Sequence, residues 1–139
     1  MSKMNRVLFV CIENSGRSQT AEAFTRLTAA DIIEAYSAGS RPSSKVNPNA
    51  IAAMREVGYD MRGHRSKSLA DVPADKYDYV ITMGCGDECP FILAAHHEDW
   101  KIPDPKGLPL DEVRKIRDLI GERVKELILK IRQNDAHAR

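Results

Sequence analysis

The 139-residue sequence predicts an α/β fold: a four-stranded parallel sheet with helices on both faces. Three observations carry that reading. Val7-Leu8-Phe9-Val10 is an unbroken apolar run, the pattern of a strand covered on both sides. Short apolar runs of strand length then alternate along the chain with stretches of helical spacing, which is the signature of a parallel sheet with crossover helices. No repeat, low-complexity segment or linker interrupts the alternation, and the length suits one domain over residues 1–139.

Val7 to Val10 is the first strand. From Ser18 onward Ala21, Phe24, Leu27 and Thr28 recur at helical spacing, so residues Cys11 to Arg17 join that strand to a helix N-terminus. Ile33, Ala35 and Ser37 alternate with more polar neighbours and end at Ala38-Gly39, a second strand. Asn47-Pro48 is an N-cap followed by proline at the first helical position, with Ile51, Met54 and Val57 as the apolar face and Gly58 as the stop. Tyr79 to Met83 is the third strand, broken by Gly84 and Gly86, and Trp100-Lys101-Ile102 is a short fourth before Pro103. The last helix starts near Asp111. Its apolar stripe is Val113, Ile116, Ile120, Val124, Leu127 and Ile131, with Gly121 costing about 1 kcal/mol relative to alanine and the tail after Arg132 expected to fray.

A net charge of +1, with 42% apolar and 29% charged residues, leaves no electrostatic footprint for nucleic acid. The apolar start, Val7 to Ile12, is far short of the roughly 20 residues that span a bilayer, and too short for a signal-peptide core. A cytosolic protein with neither membrane nor nucleic acid as partner is expected. Structural disulfides are rare in that compartment, so Cys11, Cys85 and Cys89 read as reactive thiols, metal ligands or buried apolar residues.

The densest chemical signal is Cys11-Ile12-Glu13-Asn14-Ser15-Gly16-Arg17-Ser18, a cysteine, five residues, arginine and serine between a buried strand and a helix. A chain looping around an oxyanion aims N–H groups at it, and the positive end of the following helix favours negative charge there. Gly16 permits a tight turn. The same field favours the thiolate of Cys11. Arg17 presents a planar fork that matches two oxygens of a tetrahedral anion, and the Ser18 hydroxyl can donate to the sulfur. By average residue usage, arginine and serine at these offsets arise for roughly one cysteine in a hundred. The competing reading is a small core cysteine that ends a strand.

Two further groups stand out. Asp104 lies between Pro103 and Pro105, each fixing its own φ, on a stiff loop. Cys85 and Cys89 lie in Gly84-Cys85-Gly86-Asp87-Glu88-Cys89-Pro90, a glycine-rich loop. With His96 and His97 they approach a zinc ligand set, although adjacent histidines miss the usual spacing of three to five residues. Inert buried cysteines are the other reading, weakened because such a loop is a poor core element.

The sequence resembles the low-molecular-weight protein tyrosine phosphatase superfamily, and within it the thioredoxin-coupled arsenate reductases. The likeness runs through CIENSGRSQTAEAF at 11–24, SAGS at 37–40, MGCGDECP at 83–90 and DWKIPDPKG at 99–107, nearly the whole chain. It implies a four-stranded parallel sheet with the site at the strand C-terminal ends, residues 12–18 binding arsenate or a phosphate-like oxyanion, and Asp104 as general acid. It also implies a relay in which Cys85 attacks Cys11, Cys89 recycles Cys85, and thioredoxin or a small thiol supplies electrons to a monomer without cofactor or metal. Only three residues separate Cys85 from Cys89, fewer than in the best-known thioredoxin-coupled members. Asn14, Glu22 and Ser37 match positions that in some reductases hold a potassium ion, with Lys67 where a fourth ligand, an aspartate, would stand; Glu22 as a plain helix-surface residue is the other reading. The rival activities are a tyrosine phosphatase, against which Lys106-Gly107 stands where aromatic residues often grip a phenyl ring, and a zinc- or arsenic-binding module.

Overall fold

The computed structural model of the chain describes residues 4–73, 76–84 and 91–137. Four strands, β1 (Asn5–Cys11), β2 (Ile33–Gly39), β3 (Tyr77–Thr82) and β4 (Ala94–Asp99), form one sheet in the order β2-β1-β3-β4, every neighbouring pair parallel. The apolar run is explained by that order. β1 is central, and Val7 to Cys11 are each at most 3% exposed.

Alternation along β1 divides the core. Val7, Phe9 and Cys11 face helices α1 (Arg17–Ala29) and α3 (Leu110–His137), meeting Ala21, Ala29 and the stripe Ile116, Ile120, Val124, Leu127 and Ile131. Burying each large aliphatic of that stripe stabilises the fold by about 1.5–3 kcal/mol. Leu8 and Val10 face the other way, with Ala38 and Val80; among the described residues that side is covered by a single 3-10 turn, Leu69–Asp71, with Val72 and Ile92. Helix α2 (Pro48–Glu56) packs across α1 through Ala23, Val46, Ala50, Met54 and Met61.

The Asn47 cap forms as expected, its Oδ1 accepting from the amides of Asn49 (2.9 Å) and Ala50 (3.4 Å). The buried face of α2 is however Ala50, Ala53 and Met54, while Val57 is exposed, because the helix stops at Glu56. The fourth strand is Ala94–Asp99, not Trp100–Ile102. It is an edge strand with mostly polar, exposed residues, so it carries little apolar signal. Trp100 and Ile102 are buried for another reason: the Trp100 ring packs 5.9 Å from that of Phe9, closing the end of the core. Helix α3 continues past Arg132 to His137, and Asn134 Nδ2 donates to the Tyr79 hydroxyl at 2.7 Å. Gly121 has a purpose in α3, since a Cβ there would stand 3.0 Å from the Phe24 ring. No helix of the described residues is long and apolar enough to cross a membrane.

Candidate active site

Parallel strands bring the ends of β1 and β2 to one edge of the sheet, and the segment between Cys11, the last residue of β1, and Arg17, the first of α1, curls there. Its carbonyls are held on the outside. Ile12, Glu13 and Ser15 accept from the amides of Arg41 (2.8 Å), Ser43 (3.1 Å) and Asn47 (2.8 Å), and Glu13 accepts also from Ser66 Oγ (2.7 Å). A loop whose carbonyls are engaged outward turns its peptide N–H groups toward its centre, where they suit an anion. The residue with left-handed backbone is Asn14 (φ 51°), not Gly16 (φ −130°). Gly16 serves clearance instead, since a Cβ there would lie 2.7 Å from Pro105 Cγ. Gly39 likewise admits the loop, a Cβ meeting the Ile12 carbonyl oxygen at 2.6 Å.

Cys11 is 3% exposed, its Sγ 2.9 Å from Ser18 Oγ. Because Ser18 Oγ accepts from Asn14 Nδ2 at 2.7 Å, its own hydrogen is free to point at the sulfur. Arg17 is buried. Its Nη1 donates to the Ile102 carbonyl at 3.1 Å, and Nη2 lies 3.7 Å from Asp104 Oδ2. Asp104 Oδ1 accepts from the Lys106 amide at 3.0 Å, which holds the half-exposed carboxylate over the loop. Lys106 Nζ then reaches back to Glu13 Oε2 at 2.8 Å, a bond that raises the lysine pKa. The resulting cavity of about 380 Å³ is lined by the loop, by Arg41, Ser43 and Lys45, and by Asp104 to Gly107, with no aromatic ring among the described lining residues.

Beneath the loop lies a second cluster. Lys67 Nζ stands 3.4 Å from Asn14 Oδ1, 3.4 Å from Ser37 Oγ and 3.8 Å from Glu22 Oε1. Glu22 is no surface residue; it is 5% exposed, accepts from Ser37 Oγ and pairs with Arg26 at 2.7 Å. Burial lowers the Lys67 pKa from 10.5, with the Glu22 charge working the other way. A potassium ion does not fit among these oxygens, since an ammonium group already sits between them.

Cys85 and Cys89 lie outside the described residues. Gly84, the residue before Cys85, has φ +77° and lies against Arg17, so that a Cβ on it would collide with Nη1. His96 and His97 are consecutive on β4 and therefore face opposite sides. His96 stacks on Tyr79 at 4.6 Å, and His97 Nε2 bonds the Ile92 carbonyl at 2.7 Å. The pair cannot close one zinc site, and the described residues contain no group of three or more His, Cys, Asp or Glu placed to hold a metal.

The profile of the low molecular weight phosphotyrosine protein phosphatases matches residues 6–137. The chain belongs to that family. Within it the chain is 44% identical, over 92% of its length and 99% of the relative's, to a glutaredoxin arsenate reductase of Synechocystis. A solved arsenate reductase in a phosphate-binding state superposes with a TM-score of 0.84 at 43% identity, over 92% of this chain and 99% of that one. A thioredoxin-dependent arsenate reductase of Corynebacterium glutamicum superposes with a TM-score of 0.79 at 34% identity, over 96% of this chain and 64% of that one.

The structure thus gathers Cys11, Ile12, Glu13, Ser15, Gly16, Arg17 and Asp104 around one cavity, while Asn14 and Ser18 lie buried behind the loop, Ser18 against the Cys11 sulfur. Sequence reasoning missed Gln19 and His64, which meet each other across 45 residues of chain, and no local spacing announces such a contact. It named Lys106 only for the aromatic ring it lacks, not for its ion pair with Glu13.

Proposed function

We propose that this phosphatase-family chain reduces arsenate to arsenite, with Cys11 as the nucleophile. The observation that supports this best is a buried thiol, served by Ser18 and ringed by an anion loop with Arg17, beside a glycine that leads directly into Cys85. The Cys11 thiolate attacks arsenic(V), and the displaced oxygen leaves as water after Asp104 supplies a proton. Arg17 and the loop amides bind the remaining oxygens. The Cys85 thiolate then attacks Cys11 Sγ. A sulfur–sulfur bond forms, the arsenic–sulfur bond breaks, and its electron pair stays on arsenic, which departs as arsenite. Attack of Cys89 on Cys85 frees the Cys11 thiolate and leaves a Cys85–Cys89 disulfide for thioredoxin or a small thiol to reduce. The protein acts as a cytosolic monomer without cofactor or metal.

A tyrosine phosphatase would need only Cys11, Arg17 and Asp104, with water as second nucleophile. The cavity rim argues for the smaller substrate, since Lys106 and Gly107 occupy it and no aromatic side chain waits for a phenyl ring among the described lining residues. Arsenite release, supported by thioredoxin, thioredoxin reductase and NADPH, should be compared with hydrolysis of an aryl phosphate by the same preparation. Arsenite release with little hydrolysis is expected; brisk hydrolysis without arsenite would assign the phosphatase reaction instead.

A further inference from the structure

A continuous line of hydrogen bonds leads from the protein surface to the reactive sulfur. Tyr59 Oη lies 2.8 Å from His64 Nε2, and His64 Nδ1 lies 2.8 Å from Gln19 Oε1. Gln19 Nε2 donates to Asn14 Oδ1 at 2.8 Å, Asn14 Nδ2 donates to Ser18 Oγ at 2.7 Å, and Ser18 Oγ lies 2.9 Å from Cys11 Sγ. Gln19, Asn14 and Ser18 are fully buried.

The direction of every bond is fixed by its surroundings. Gln19 Nε2 faces three acceptors, the carbonyls of Arg65 (2.8 Å) and Asn14 (3.2 Å) and Asn14 Oδ1, so the amide oxygen must face the histidine. His64 must then carry its hydrogen on Nδ1, which leaves Nε2 to accept from Tyr59. Asn14 Oδ1 also receives the Lys67 amide at 2.9 Å, so the Asn14 amino group turns to Ser18. Five side chains, from Tyr59 to Ser18, donate in one sense, toward the sulfur of Cys11. Bonds aligned in this way polarise one another and favour negative charge at the receiving end. The charged groups around the imidazole are Glu22, Lys67, Arg26 and Asp60, of mixed sign, which suits a neutral ring.

We propose that His64 is a positioning residue for the Cys11 thiolate: by donating from Nδ1 it fixes the Gln19 amide, which holds the left-handed Asn14 and, through it, the Ser18 hydroxyl. The proposal rests on Cys11 being the nucleophile, yet it is read out without arsenate. Alkylation of Cys11 by iodoacetamide reports the thiolate directly, with site occupancy followed by mass spectrometry.

Replacing His64 by Leu leaves Gln19 Oε1 buried without a donor, so the amide turns and the line breaks. Alkylation at Cys11 should slow by roughly 3- to 10-fold near pH 6, with its pH profile displaced upward by up to about one unit. His64→Asn carries an amide N–H near the place of Nδ1 and should restore most of the wild-type rate. Circular dichroism and thermal melting show that each variant is folded, and the Asn variant keeps the test open if the Leu variant is not. A His64→Leu protein that folds and alkylates with the wild-type profile would overturn the proposal. So would a folded His64→Asn protein as slow as the Leu variant, because donation would then not be what matters. If both variants behave as expected but neither wild type nor variant releases arsenite, the arsenate reading fails and the positioning role stands.

Discussion

The cluster under the loop makes a quantitative prediction about monovalent cations. A potassium ion bound among Asn14 Oδ1, Ser37 Oγ and Glu22 Oε1 would have to share that space with Lys67 Nζ, which is 3.4 to 3.8 Å from all three. Two unit charges about 4 Å apart repel by about 4 kcal/mol even at an effective dielectric constant of about 20, which weakens binding roughly a thousandfold. A site with a Kd of about 1 mM would, in about 100 mM potassium, stabilise a fold by about 2.7 kcal/mol, on the order of 10 °C in Tm for a chain of this size. Weakened a thousandfold, the same site contributes less than about 0.1 kcal/mol. The wild type should therefore melt at the same temperature in potassium and sodium chloride at equal ionic strength. Lys67→Ala removes the ammonium and leaves the three oxygens, so its Tm should rise in potassium but not in sodium. A wild-type Tm several degrees higher in potassium would refute the argument, and a Lys67→Ala protein indifferent to both salts would show that the oxygens do not make a cation site.

Three other outcomes follow from the geometry. Gly84→Ala combines a strained φ of +77° with a Cβ that would collide with Arg17 Nη1, so Arg17 must move; kcat/KM for arsenate should fall on the order of 100-fold, and an unchanged value would show that Arg17 is not held as described. Cys89→Ser should release about one arsenite per enzyme and stall with Cys11 joined to Cys85, whereas Cys85→Ser should release none. Mass spectrometry of alkylated peptides identifies the trapped bond, and free turnover by Cys89→Ser would break the relay assignment. Burial holds the His64 pKa below 6.5, so on acidification the unfolded chain takes up this proton first. Its contribution to stability is full above pH 6.5 and is lost as the pH falls from there toward the folded value. Urea melts of wild type and His64→Asn should therefore converge over that range, and parallel curves would contradict the assignment.

Much of this was legible in the residues because each signal was local. The apolar run of β1 announced a strand covered on both faces, Asn47-Pro48 announced the start of α2, and the segment from Cys11 to Arg17 was placed between a strand and a helix. What stayed hidden depended on tertiary contact. β4 has the composition of an exposed edge, and the nearby buried pair Trp100 and Ile102 looked more like a strand than the strand did. Gly16 suggested a turn but provides room for Pro105, while the left-handed position fell to Asn14, whose side chain is gripped by Gln19 and Lys67. Glu22 has the sequence context of a helix surface and becomes buried only because Arg26, Ser37 and Lys67 converge on it. Tyr59 and His64 carry no motif at all, and Gln19, although inside the stretch 11–24, shows nothing of its histidine partner, which is distant in the chain.

The central claim is that the Cys11 thiolate attacks arsenate and that arsenic leaves reduced. The most direct measurement is arsenite produced per enzyme over time, with thioredoxin, thioredoxin reductase and NADPH in excess, for wild type and for Cys11→Ser. Many arsenites per wild-type enzyme and none from Cys11→Ser, which keeps the loop and Arg17 but lacks the thiolate, is the predicted result. Sustained arsenite production by Cys11→Ser would contradict the account.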